Sequence, residues 1–242
     1  FRWGPVDKAT LISNEAGLAS TFAAPGATTN LDFLSAANFL RYANSLQVTR
    51  SVGAAARNSV NSGGTVKLLK NNEQWENDLS YTMDSDNRIY GKYPGTVGNS
   101  LRVVATGSTG WTNWPWKANF DAAPTGTERH VLVLDEDGVI TGTAGTVLER
   151  FAFVEDDSAA TNTDGSSNYV KDVVNRGSNW VRVGGGLDSG DYSLINGVDA
   201  SPGSSDLVSS ASVFEDKDTI TVDFLIAPGS GTTLTNAAIT DE

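Results

Sequence analysis

The chain contains no cysteine, so disulfides and thiolate metal sites are excluded, and its chemistry is compatible with assembly in a reducing cytoplasm. A single histidine, His130, means that any Ser-His-Asp scheme would have to pass through one residue. It falls at the start of an expected strand beside Arg129 and reads as a surface or strand-edge side chain, and no Gly-x-Ser-x-Gly elbow offers a nucleophile. Long hydrophobic runs are missing too: no stretch approaches the roughly 20 apolar residues of a membrane span, and no signal-peptide pattern opens the chain. Positive charge is scarce, with 17 Lys and Arg against 29 Asp and Glu for a net charge of −12, and an acidic surface repels phosphate, which disfavours nucleic-acid binding.

That imbalance is uneven. Residues 1–120 carry 11 basic against 8 acidic side chains, and residues 121–242 carry 6 against 21, so +3 and −15 make up the −12. Such acidity reads first as a means of keeping the protein in solution, and its asymmetry leaves open a head-to-tail contact between the basic region of one copy and the acidic region of the next. With 242 residues, 39% of them hydrophobic, the chain is large enough to bury a core in one large or two modest domains. It opens on an aromatic segment without Met, as an excerpt of a longer polypeptide would.

Metal and nucleotide motifs fail on register. With Gly165 at the sixth position of a calcium loop, Ala160 and Lys171 fall where ligands are required; Asp135 to Gly138 likewise places Val133 at the first position. Gly184-Gly185-Gly186 does not continue into a dinucleotide fingerprint, and Gly91-Lys92 is followed by Tyr93 rather than Ser or Thr. No cofactor is expected. Trp111, Trp114 and Trp116, close to Phe120, can pack a core, line a subunit interface or stack on sugar rings.

Local patterns predict alternating architecture. A short helix ends near Phe22, capped by Ser13 or Asn14, with Leu18 and Phe22 spaced four apart. A longer one covers residues 30–44, capped by Asn30, with Phe33, Ala37 and Leu40 in one stripe. Val48 to Val52 alternates as a strand, Gly53 to Gly64 reads as a loop or trimmed insertion point, and a short helix is possible from Glu73 to Leu79. Strands are expected at Leu101 to Ala105, His130 to Leu134, Val139 to Thr143 and Val147 to Phe153, with Asp135 to Gly138 as a hairpin turn. Asp206 to Phe214 reads as helix, and Thr219 to Ala227 as a buried strand. The fold class expected is mixed, α+β or α/β: a discontinuous α/β core with an inserted β-rich, sandwich-like domain. Its pieces are residues 1–60 (core), 61–91 (linker or trimmed insertion), 92–184 (inserted domain) and 185–242 (return to the core, truncated).

Two segments shape backbone rather than carry chemistry. Phe1-Arg2-Trp3-Gly4-Pro5-Val6 ends an aromatic run at Gly-Pro, and Tyr93-Pro94-Gly95-Thr96-Val97-Gly98-Asn99 has a type II turn order at Pro94-Gly95, with Gly98-Asn99 able to take positive φ. Together with Asn38-Phe39-Leu40 and Tyr42 in the second helix, and Val48 and Arg50 in the strand after it, these segments closely resemble the contractile tail sheath proteins of myovirus-type phages. The match is specific over the first 52 residues and from Tyr93 to Asn99, and pattern-level elsewhere.

The resemblance implies a non-enzymatic virion protein, assembled in the host cytoplasm. Its copies would form hexameric rings stacked helically around a tail tube, in a metastable state that contracts to drive the tube through the host envelope for genome ejection. The partners implied are the chain itself, the tail tube protein, and baseplate and tail terminator proteins, with no nucleic acid and no membrane insertion. It also implies that both terminal arms and most of a carboxy-terminal core lie outside this sequence. The sheath of a phage-derived bacteriocin or injection system would look alike, and the three tryptophans leave open a carbohydrate-binding or adhesin-like β-domain.

Overall fold

The computed structural model describes residues 1–77, 88–216, 218 and 220–226. The chain divides into two compact units, one of Phe1–Ala56, Lys70–Gln74 and Val198–Glu242, the other of Arg57–Leu69 and Trp75–Gly197. The fold is mixed α+β.

The first unit holds an antiparallel pair, β1 (Thr10–Ile12) and β2 (Leu46–Val48), with helices α1 (Glu15–Phe22) and α2 (Asn30–Leu40) between them in sequence. Asn14 starts α1 because its Oδ1 accepts from the Gly17 N–H at 2.8 Å, satisfying one orphan donor of the first turn. Leu18 and Phe22 then point inward together and are fully buried, joined by Ile12, Phe33, Ala36, Ala37 and Val48 in one apolar cluster. Each large side chain buried there contributes about 1.5–3 kcal/mol of hydrophobic stabilisation. The cap of α2 is Thr29, one residue before the expected Asn30, and Thr29 Oγ1 accepts from the Gly26 N–H in the preceding turn. The unit also contains α5 (Ser204–Ala211), preceded by Gly203, whose N–H donates to the Asp206 carboxylate at 2.9 Å.

The second unit is built on seven antiparallel strands in the order β7-β6-β5-β9-β3-β4-β8. They are β3 (Val60–Asn61), β4 (Ile89–Gly91), β5 (Leu101–Thr106), β6 (Glu128–Asp135), β7 (Thr146–Glu155), β8 (Val181–Val183) and β9 (Gly190–Ile195). Trp75, in α3 (Asn72–Asn77), packs edge-on against Tyr90 with Val60 and Leu69 around it. Helix α4 (Val170–Gly177) buries Val170 and Val174 and packs against both edge strands, β8 and β7. It also satisfies their polar groups. Asn175 exchanges two hydrogen bonds with the backbone of Val183, while Glu149 of β7 accepts from Ser178 Oγ and the Asn179 N–H just past the helix. Edge strands exposed to solvent invite pairing with other chains, and this helix and its following turn pack against part of each.

Several expectations give way. Gly53 to Gly64 is not an open loop: Asn58, Ser59, Val60 and Asn61 are buried there, and the segment supplies β3. Asn58 holds it in place, accepting from the Leu69 N–H at 2.7 Å and donating to the carbonyls of Leu69 and Gly91. Val139 to Thr143 is loop, because the Asp135 carboxylate accepts from the N–H groups of Ile140 and Thr141 and from Thr141 Oγ1, curling the chain back. The expected buried strand toward the carboxy end is exposed over residues 221–226, with Ile220 half-buried and Phe224 at 81%, and none of these residues has a ladder partner among the described residues. An apolar run reads as buried only when other elements cover both its faces. Leu79, Thr219 and Ala227, at the limits of two expected elements, lie outside the described residues.

Candidate functional site

Part of the motif set builds two backbone clamps, one in each unit. In the first, Arg50 follows β2 and is 3% exposed. Its guanidinium donates from Nε to the Phe1 carbonyl at 3.0 Å, from Nη1 to that of Gly4 at 3.1 Å and from Nη2 to that of Arg2 at 3.2 Å. One planar cation thus holds three carbonyls within a stretch of four residues, as its fork of donors suits it to do. Burial lowers Arg50 from its ordinary value to about 10, with Asp199 opposing that fall. The held segment continues into a parallel bridge between Val6 and Arg50, and the Asp7 N–H donates to the Arg50 carbonyl at 3.0 Å.

Gly4 has φ +101, and a Cβ there would come within 2.5 Å of the Phe22 ring. Glycine is what allows the chain to lie on that aromatic. Trp3 is buried, its N–H donating to the Phe22 carbonyl, and Phe1 packs on Phe22 and Phe33 at ring-centroid distances of 4.8 and 6.4 Å. Pro5 is half-buried and Val48 buried. Phe39 and Leu40 are half-buried on α2, whereas Asn38 and Tyr42 face solvent, Tyr42 at 92% exposure.

The second clamp is in the turn from Tyr93 to Asn99. Gly95 takes positive φ, +131, and its N–H donates to the Arg57 carbonyl at 3.1 Å. Gly98 and Asn99 do not: they lie in a 3-10 turn, Thr96–Ser100, that runs directly into β5. Asn99 Oδ1 accepts from the Gly197 N–H at 2.6 Å, and its Nδ2 donates to the Gly197 carbonyl at 3.0 Å. Tyr93 is half-buried, and burial pushes its hydroxyl up, with Arg182 opposing. Pro94, Gly95 and Gly98 are buried.

Neighbouring Lys92 is a buried cation the sequence did not single out. Its Nζ donates to the Ser178 carbonyl, and burial first, then Arg182, lowers it to about 8, against a raising influence of Glu149.

His130 corrects its expected placement, for it is fully buried. The Phe153 N–H donates to its Nδ1 at 3.1 Å, which leaves the proton on Nε2, donating to the Ala122 carbonyl at 2.8 Å. It fills a bulge in the β6–β7 ladder, where the shift falls between Arg129 and Val131, and stacks on Phe120 at 4.1 Å. Trp111, Trp114 and Trp116 pack, half-buried, around Phe120, Val104, Leu132 and Leu134, so this cluster is core more than platform. Among the described residues no group of three or more His, Cys, Asp or Glu could hold a metal ion, and no helix is long and apolar enough to cross a membrane.

The fold is similar to that of the sheath tail protein Lin1278 from Listeria innocua, with a TM-score of 0.52 and 14% identity, covering 97% of this chain and 40% of that one. The chain is 38% identical over 148 residues to the tail sheath protein of Salmonella phage ViI, a match covering 61% of this chain and 23% of that protein. It is 42% identical over 67 residues to the tail sheath protein of Enterobacteria phage T4, covering 27% of this chain and 10% of that one. No protein-family model matches. The chain is thus similar in sequence to phage tail sheath proteins, and it spans about a quarter or less of the length of these two relatives.

Proposed function

We propose that this chain is part of the structural subunit of a contractile phage tail sheath, with a mechanical rather than catalytic role. The observation that carries this reading is the 38% identity over 148 residues to a phage tail sheath protein. The clamps agree with it in kind, since Arg50 and Asn99 spend their polar groups on holding backbone in shape.

In this reading copies form hexameric rings stacked around a tail tube, and the sheath shortens on a baseplate trigger to drive the tube through the host envelope. The baseplate and the tail terminator bound it at its two ends. The unit built on the seven-stranded sheet is the inserted domain, and the unit containing the Arg50 clamp belongs to the core. Phe1, Trp3, Gly4, Pro5, Phe39, Leu40, Val48 and Arg50 keep that core in shape, Tyr93, Pro94, Gly95, Gly98 and Asn99 shape the inserted domain, and the exposed Asn38 and Tyr42 face a neighbouring copy. The basic-to-acidic asymmetry of the sequence orients successive copies.

Electron microscopy of the full-length gene product tests the proposal. Striated tubes whose formation weakens with added salt are expected. A solitary monomer under all conditions overturns the sheath reading, and tubes indifferent to ionic strength overturn the charge-guided contact.

A further inference from the structure

We infer that Asn196–Gly197 is a deamidation site that the Asn99 clamp holds in check. This is the only Asn-Gly pair in the chain. Asn196 is exposed, directly follows β9 and has φ +66, and the residue after it has no side chain to obstruct ring closure. In the reaction the Gly197 backbone nitrogen attacks Asn196 Cγ and forms a C–N bond. The Gly197 amide proton passes to solvent base, and the side-chain nitrogen leaves as ammonia. Water then opens the resulting five-membered imide at either carbonyl, giving aspartate or isoaspartate. One water is consumed and one ammonia released, with no redox partner.

The attacking nitrogen is engaged. Its N–H donates to Asn99 Oδ1 at 2.6 Å, and the carbonyl of the same residue accepts from Asn99 Nδ2 at 3.0 Å, so Gly197 is gripped on both sides. Gly197 cannot be exchanged for a residue that would slow the reaction. A Cβ there would lie 2.4 Å from the Gly95 carbonyl oxygen and 2.9 Å from Asn99 Oδ1. The close approach that requires glycine creates the vulnerable pair, and the side chain that completes the approach protects it. When the clamp opens, aspartate adds a negative charge to an already acidic chain, or isoaspartate lengthens the backbone by one carbon where Gly197 passes Gly95.

The test incubates wild type, Asn99→Ala and Asn99→Asp in mildly alkaline buffer, followed by peptide mass spectrometry and isoaspartate-specific methyl labelling. Losing the two clamp bonds should accelerate conversion at Asn196 by roughly tenfold in Asn99→Ala, with Asn99→Asp intermediate because it keeps the acceptor. Native wild type should likewise convert roughly tenfold or more slowly than the same chain unfolded in urea. Should Asn99→Ala fail to fold, this native-to-unfolded ratio decides alone. Equal rates in native and unfolded wild type, or a folded Asn99→Ala as slow as wild type, overturn the inference.

Discussion

Arg50 donates to the carbonyl of Gly4 at 3.1 Å across 46 residues of sequence, and Gly4 can present that carbonyl because it tolerates a φ of +101 and has no Cβ to meet the Phe22 ring. Cation and glycine are two halves of one arrangement. Substituting either should be felt by the other.

Arg50→Ala leaves three carbonyls in a buried environment without their donors, and should destabilise the first unit by about 3 kcal/mol or more. Arg50→Lys should recover little, since a point charge cannot reach three diverging acceptors. Urea unfolding followed by tryptophan fluorescence measures both, and wild-type stability in Arg50→Lys would show that charge alone suffices.

Gly4→Ala adds a methyl that meets the Phe22 ring in a backbone conformation L-residues avoid. The expected loss is about 2–4 kcal/mol. Gly4→Ala with Phe22→Leu should recover part of it, read as coupling in a double-mutant cycle.

Asp135 gives an acid dependence. Burial pushes its carboxyl up, but hydrogen bonds from Ser100, Thr141 and Ile140 outweigh that and hold it below the ordinary 3.8. A carboxylate lower in the folded than the unfolded state adds stability above the unfolded value, lost as pH falls through the folded one. Asp135→Asn should flatten stability below about pH 4 and loosen the 136–145 loop, seen as faster amide exchange at Ile140 and Thr141.

Lys92 gives the alkaline counterpart. Its value falls from 10.5 in the unfolded chain to about 8 in the fold, so between those limits the unfolded state binds the extra proton and this residue makes stability rise with pH. Lys92→Met should remove that rise in pH-dependent urea titrations, and an unchanged slope would mean the ammonium is not buried at a cost.

Periodic signals in the sequence were reliable where side chains meet side chains. Leu18 and Phe22 mark α1, with Ser13 and Asn14 as rival caps, and the apolar runs from Leu101 and from His130 mark β5 and β6. The clamps were legible only as positions. Arg50, Asn58 and Asn99 hydrogen-bond carbonyls and N–H groups, which every residue carries, so no pattern names their partners. His130 was misplaced for the same reason: Phe153 and Ala122 satisfy it through backbone alone. Strands of two or three residues such as β3 and β8 are too short for alternation to register, and the run ending at Phe224, Leu225 and Ile226 shows that apolar composition does not by itself produce burial.

Because α4 and the turn after it pack on both outer strands of the seven-stranded sheet, through Asn175 on one side and Ser178 and Asn179 on the other, part of each margin is already occupied within the unit itself. Fewer free strand groups remain there to template cross-β growth between crowded copies. Asn175→Ala should be the lesion that makes concentrated solutions turn cloudy.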